Sequence, residues 1–117
     1  IVADVHGFPV TIGNTHLGVH EDERQEQWPV LLDNIGGWSE ASVLMGDFNM
    51  DVDDPLLVYI PFSWKRLPAQ GATLANGKQV DHIWVRGPME ALDISIPSFR
   101  LSDHEPVLAT LKIVEEN

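Results

Sequence analysis

Two short stretches of this chain join a carboxylate to an imidazole or an amide at the end of an apolar run. Ser102-Asp103-His104-Glu105-Pro106-Val107 places Asp103 beside His104, just ahead of a strand that Pro106 helps to begin. Asp103 suits a hard metal ion, and His104 suits phosphate binding or acid–base work. A charge-rich surface turn has the same composition, so both readings stand for this stretch alone. Gly46-Asp47-Phe48-Asn49 follows the apolar run Ser42 to Met45. Its glycine permits a tight turn, and the carboxylate and amide two residues apart fall on one side of an extended segment. One can activate water while the other binds phosphoryl oxygens. The alternative is a polar turn in which Asp47 and Asn49 cap backbone groups.

Two further stretches add to these. Val80-Asp81-His82-Ile83-Trp84-Val85 alternates, with Asp81 and Ile83 on one face and His82 and Trp84 on the other. A carboxylate on a core face is costly without a partner, which makes a cation or a histidine nitrogen the expected partner of Asp81. An edge strand with Asp81 in water is the other reading. Asn14-Thr15-His16-Leu17 sets an amide and an imidazole at a strand end, where they can hold a phosphate and protonate a leaving oxygen. By itself, such a histidine is more often a hydrogen-bonded structural residue.

The elements that must position these groups follow from periodicity. Ile1 to Val5 and Val10 to Thr15 read as two strands of a hairpin around the Gly7-Phe8-Pro9 turn signal. Trp28, Leu31, Leu32 and Ile35 recur at helical spacing between Glu23 and Ile35, and Gly36-Gly37 offers a stop. Pro29 predicts a kink or a shifted start. Ser42 to Met45 reads as a buried strand. Asp54-Pro55 is a cap followed by proline at the first helical position, predicting a short helix through about Tyr59. Residues 61–78 read mostly as loop, and strand patterns return at Val80 to Val85 and Pro106 to Ile113. The order β-β-α-β-α-β-β points to a layered α/β fold. Asp51, Asp53 and Asp54 read as a solvated turn and cap, His6 and His20 as surface residues, and the four tryptophans as packing.

At 117 residues, 44% hydrophobic and 21% charged, without repeats, the chain has the composition of one globular domain. Seven basic against eighteen acidic residues leave a net charge of −11, a field that repels polyanions. A metal ion in a carboxylate site inverts that sign locally, so nucleic acid, a lipid head group and a phosphorylated small molecule all remain open as substrates. There is no cysteine, which excludes disulfides and thiol chemistry. No apolar run approaches the ~18 residues of a membrane span. The strand-like opening at Ile1 predicts a native N-terminus further upstream.

Taken in order, the N-T-H-L, G-D-F-N, D-H-I and S-D-H-x-P-V motifs resemble the endonuclease/exonuclease/phosphatase superfamily of metal-dependent phosphoesterases, over roughly Val10 to Ile113. The resemblance implies half of a four-layered α/β sandwich: one mixed β-sheet with flanking helices, the other half absent from this chain. It implies hydrolysis of a phosphate ester, as a phosphodiesterase, nuclease or phosphatase, by activated water with magnesium or manganese. In this pattern His16 contacts phosphate or acts as acid, supported by Asn14. Asp47 orients or deprotonates water and helps bind metal, Asn49 holds the phosphate, Asp81 orients the imidazole of His104, and Asp103 binds the metal. The family's first half supplies an asparagine and the main metal-binding glutamate. Only thirteen residues precede Asn14, and Gln25-Glu26 lies on the wrong side of the first motif to replace them. The expected partner is therefore a second half-domain, or another copy of the chain against an apolar face left uncovered. A non-catalytic binding module that keeps the fold is the alternative.

Overall fold

The computed structural model describes residues 1–97 and 102–114. Strands β1 (Val2–Val5) and β2 (Phe8–His16) form the opening hairpin, with Val5 opposite Phe8. The turn is therefore His6-Gly7, two residues with φ of 52° and 84°. That mirror-image geometry matches the twist of a hairpin. Gly7 N–H donates to Asp4 Oδ1 at 2.6 Å. Phe8 and Pro9, read from sequence as part of the turn, instead open β2. Pro9 is tolerated because the ladder to the next strand starts only at Val10, so its missing donor interrupts nothing.

Helix α1 (Glu21–Gly36) begins two residues before its expected start and runs through Pro29. Glu21, Asp22 and Glu23 in its first turn complement the positive end of the helix dipole. Pro29 is exposed, so the backbone acceptor it frees faces water, while Trp28 and Ile35 hold the opposite side in the core. Burial of that face outweighs the local penalty of the proline. No basic residue occupies the last turn, yet the C-terminus is served from elsewhere. Arg86 donates to the carbonyls of Ile35, Trp38 and Ser39 at 3.3, 2.8 and 2.8 Å and lies 4.9 Å above the Trp64 ring.

Strand β3 (Ala41–Asp47) runs parallel to β2, and β4 (Trp64–Arg66) and β5 (Asp81–Arg86) complete a mixed five-stranded sheet in the order β1-β2-β3-β5-β4. A separate antiparallel ribbon joins β6 (Met89–Ser95) to β7 (Leu108–Ile113). Between β3 and β4, Asp54 caps a short 3-10 helix, Pro55–Tyr59, accepting from Leu56 N–H at 3.0 Å. Neither β4 nor β6 is evident from sequence. β4 has three residues, too few to show alternation, and the pairing of β6 shifts register between Ala91 and Asp93.

Alternation along β3 and β5 sends side chains to two different cores. On the α1 side, Leu44 and Trp84 pack with Trp28, Ile35, Phe48, Met50 and Trp64. On the other side, Val43, Ile83 and Val85 meet Val107, Ala109, Leu111 and Ile113 of the ribbon and the segment leading into it. Three of the tryptophans are buried and Trp38 packs against their cluster, as packing residues.

Candidate active site

Strand register brings three of the polar motifs together. The parallel pairing of β2 and β3 sets His16 opposite Asp47, and the antiparallel pairing of β3 and β5 sets Asp47 opposite Asp81. Directly opposed residues point to the same face of a sheet with Cβ atoms roughly 5 Å apart. His16, Asp47 and Asp81 therefore form a row across one end of three adjacent strands. His104 reaches the row from outside the five-stranded sheet. An isolated bridge between Leu74 and His104, with Glu105 N–H donating to the Thr73 carbonyl at 2.8 Å, places it there.

The contacts within this group are short. His104 Nδ1 lies 2.7 Å from Asp81 Oδ2, and His104 Nε2 lies 3.5 Å from Asp47 Oδ2. His16 Nε2 approaches the same Asp47 oxygen, also at 3.5 Å. The other oxygen of Asp47 accepts the backbone N–H of Asn49 at 2.9 Å. Asp47 thus fixes its own loop with one oxygen and faces two imidazoles with the other. Its side chain is 15% exposed against 74% for His16, so the carboxylate is held while the His16 ring reaches into solvent.

Asn49 departs from the extended conformation expected from sequence. Its φ is 50°, a left-handed geometry that asparagine tolerates better than most residues. This turns its amide back toward β2, where Nδ2 donates to the Leu17 carbonyl at 2.6 Å. Gly46 has a stronger reason to be glycine than turn formation. At φ 143°, a Cβ there would lie 1.8 Å from the Thr15 carbonyl oxygen and 2.8 Å from Asn14 Oδ1. Asn14 lies over Gly46 and, with Met45, Asp81 and Val107, lines a cavity of about 180 Å³. Asp103 is exposed, and its Oδ1 accepts from Ser102 Oγ at 3.1 Å.

The electrostatics follow from these contacts. The hydrogen bond that His104 donates to Asp81 raises its pKa above the ordinary imidazole value of 6.5, and the charges of Asp81, Asp47 and Asp103 add to it. His82, on the opposite face of β5, shifts the other way because burial disfavours its charged form. Its Nε2 lies 2.7 Å from the Met50 carbonyl and its ring meets Phe48 edge-on at 5.4 Å, which packs it behind the Asp47 loop. The Gln79 backbone N–H lowers the Asp51 pKa, tying that loop to the start of β5.

Sequence reading overlooked two sets of residues. Thr73 is completely buried, and its hydroxyl accepts from Val80 N–H at 2.9 Å and Asp81 N–H at 3.4 Å. A single threonine in a loop carries no pattern that would reveal it. Arg24 and Gln27 bind the backbone after His16, and these did carry a signal: with Trp28 and Leu31 they share one helical stripe, where polar residues need partners.

Asp47, Asp81 and His104 each offer a ligand atom within 4.8 Å of the others. Two carboxylates and an imidazole fit manganese or magnesium in part, since these ions take oxygen ligands and leave remaining positions to water and phosphate. Asp103 adds a carboxylate beside His104 in sequence but lies outside that grouping.

Comparison with known proteins identifies the family and the fold. The model of the endonuclease/exonuclease/phosphatase family matches residues 3–104, and the chain belongs to that family. Its fold is similar to an endonuclease/exonuclease/phosphatase from Bacteroides vulgatus, at 22% identity and a TM-score of 0.75, over 93% of this chain and 51% of that one. A mannosyl-6-phosphatase from Bacteroides thetaiotaomicron matches at 18% identity and a TM-score of 0.72, over 92% and 52%. The inositol polyphosphate 5-phosphatase domain of a synaptojanin, solved with inositol (1,4)-bisphosphate and calcium, matches at 16% and 0.70, over 96% and 50%. The chain spans about half the length of these structures. A search of curated proteins found no match. Among the described residues no helix is long and apolar enough to cross a membrane.

Proposed function

We propose that this chain carries one half of a divalent-metal-dependent phosphoesterase, in which activated water attacks a phosphate ester. The row of His16, Asp47 and Asp81, closed by His104, carries the reading. Asp47 orients and deprotonates the water. Asp81 raises the His104 pKa, and in its protonated form His104 donates Nε2–H to a phosphoryl oxygen. Asn49 has a second amide N–H beyond the one given to Leu17, and this binds another phosphoryl oxygen. Asn14 steadies the phosphate side of the site, and the exposed His16 protonates the leaving oxygen. Asp47 and Asp103 are the chain's proposed ligands for magnesium or manganese. When bound, the ion supplies Lewis-acid polarisation of the phosphoryl oxygens. A second half-domain, or a second copy of this chain, supplies the remaining ligands. The net charge of −11 favours a small phosphorylated molecule or a lipid head group over nucleic acid, and a mannosyl-6-phosphatase and an inositol polyphosphate 5-phosphatase are among the similar folds.

Two measurements test this. Manganese should broaden NMR signals of Asp47, His104 and their neighbours first, and Asp47→Ala should remove that selectivity. Hydrolysis of a chromogenic phosphodiester by the 117-residue chain should be slow or absent alone, and any turnover should need metal and vanish in Asp47→Ala. A folded chain that binds neither manganese nor phosphate at this row would overturn the proposal in favour of a non-catalytic module. Ordinary turnover with saturable metal binding would overturn the half-site part of it.

A further inference from the structure

Residues 17–19 connect His16 to α1, and every polar contact of this turn leads either to the site or to two side chains of the helix. Leu17 N–H donates to the Asp47 carbonyl at 2.9 Å, and the Leu17 carbonyl accepts from Asn49 Nδ2 at 2.6 Å. On the other side, Gly18 N–H donates to Gln27 Oε1 at 2.8 Å. Arg24 Nη1 donates to the Gly18 carbonyl at 3.1 Å and to the Val19 carbonyl. An arginine this close to a helix N-terminus opposes the dipole, so its position is explained by those two carbonyls and not by helix stability.

We infer that Arg24 and Gln27 are positioning residues for phosphate binding, acting through the turn on the carboxamide of Asn49. The chain of causes is short. A primary amide has two N–H donors, and committing one to a fixed acceptor fixes the direction of the other. The acceptor is the Leu17 carbonyl, whose direction is set by the peptide it shares with Gly18. That peptide's N–H is held by Gln27, and the next carbonyl by Arg24. Loosening the helix side lets the Leu17 carbonyl rotate, and the Asn49 amide loses its reference. Glycine lets the helix approach the turn this closely, since a Cβ at Gly18 would meet the Glu23 side chain at 2.9 Å.

This inference rests on the proposed role of Asn49 in holding phosphate, and its test separates the two. Gln27→Met keeps length and packing but removes the acceptor, whereas Gln27→Glu keeps an acceptor for Gly18 N–H. The side-chain NH2 signals of Asn49, followed by NMR, should shift and lose hydrogen-exchange protection in Gln27→Met and remain near wild type in Gln27→Glu. Titration with inorganic phosphate and manganese should show binding about two- to tenfold weaker in Gln27→Met, the loss of roughly one hydrogen bond, with rescue in Gln27→Glu. A purely structural role would lower the melting temperature and leave the Asn49 amide and phosphate affinity unchanged. That pattern in folded Gln27→Met overturns the inference. Should Gln27→Met fail to fold, Arg24→Lys, with one nitrogen for two carbonyls, serves the same comparison. If Asn49 responds but wild type shows no phosphate binding, the positioning stands and the proposed function fails.

Discussion

The two faces of the main sheet are closed to different depths. On the α1 side, Trp28, Ile35 and Phe48 are almost wholly buried, with edge-to-face contacts such as Trp28 on Phe48 at 6.0 Å. On the ribbon side, Met89, Ile94, Val107, Leu111 and Ile113 are only partly buried, and Leu92 and Leu108 are exposed. The site draws on both. His16, Asp47 and Asp81 are in phase with the residues of β3 and β5 that face the ribbon, and His104 comes from the segment leading into it, whereas Asn49 follows Phe48 of the well-packed core. Beneath the ribbon, Val43, Ile83 and Val85 of the sheet are buried, so the difference lies in the ribbon's own residues.

Three experiments break or sharpen that contrast. The largest effect should come from Trp28→Ala, which empties the complete core and should destabilise the fold by about 3–5 kcal/mol. Leu111→Ala on the half-closed face should lose on the order of 1 kcal/mol. Denaturant titration compares them, and equal losses would erase the distinction. Next, Thr73→Val keeps shape but strips the acceptor from the buried Val80 N–H, a change of about 1–3 kcal/mol. Because the Thr73 carbonyl also receives Glu105 N–H, His104 signals should shift in that variant. Unmoved His104 signals would mean that the segment is held by other contacts.

The smallest effect concerns pH. A histidine whose pKa is raised on folding stabilises the fold fully below its unfolded value and stops doing so as pH rises through its folded value. The His104–Asp81 pair should therefore add stability below pH 6.5 and lose it as pH climbs through the raised value of His104. NMR titration of the metal-free chain should place His104 above 6.5, and Asp81→Asn should bring it down and flatten that part of the stability profile. A midpoint unaffected by Asp81→Asn would assign the shift to Asp47 and Asp103 instead.

Local chemistry in the sequence was enough to identify the motifs, the helix and the strands that alternate cleanly. Asp54-Pro55 announces its cap because both effects act within three residues, and β5 announces its two faces because side chains alternate with every residue. Each candidate residue, from Asn14 to His104, could be named on these grounds together with the family resemblance. Their meeting could not. His16, Asp47 and Asp81 become neighbours through strand register, and register is set by which apolar faces are buried together across strands distant in sequence. The ribbon pairing of β6 and the passage of α1 through Pro29 were decided the same way, by long-range contacts that outweigh local preference. Sequence alone determined which groups are available for chemistry; the tertiary structure decided which of them touch, because only burial and pairing across the sheet bring distant strand ends to one edge.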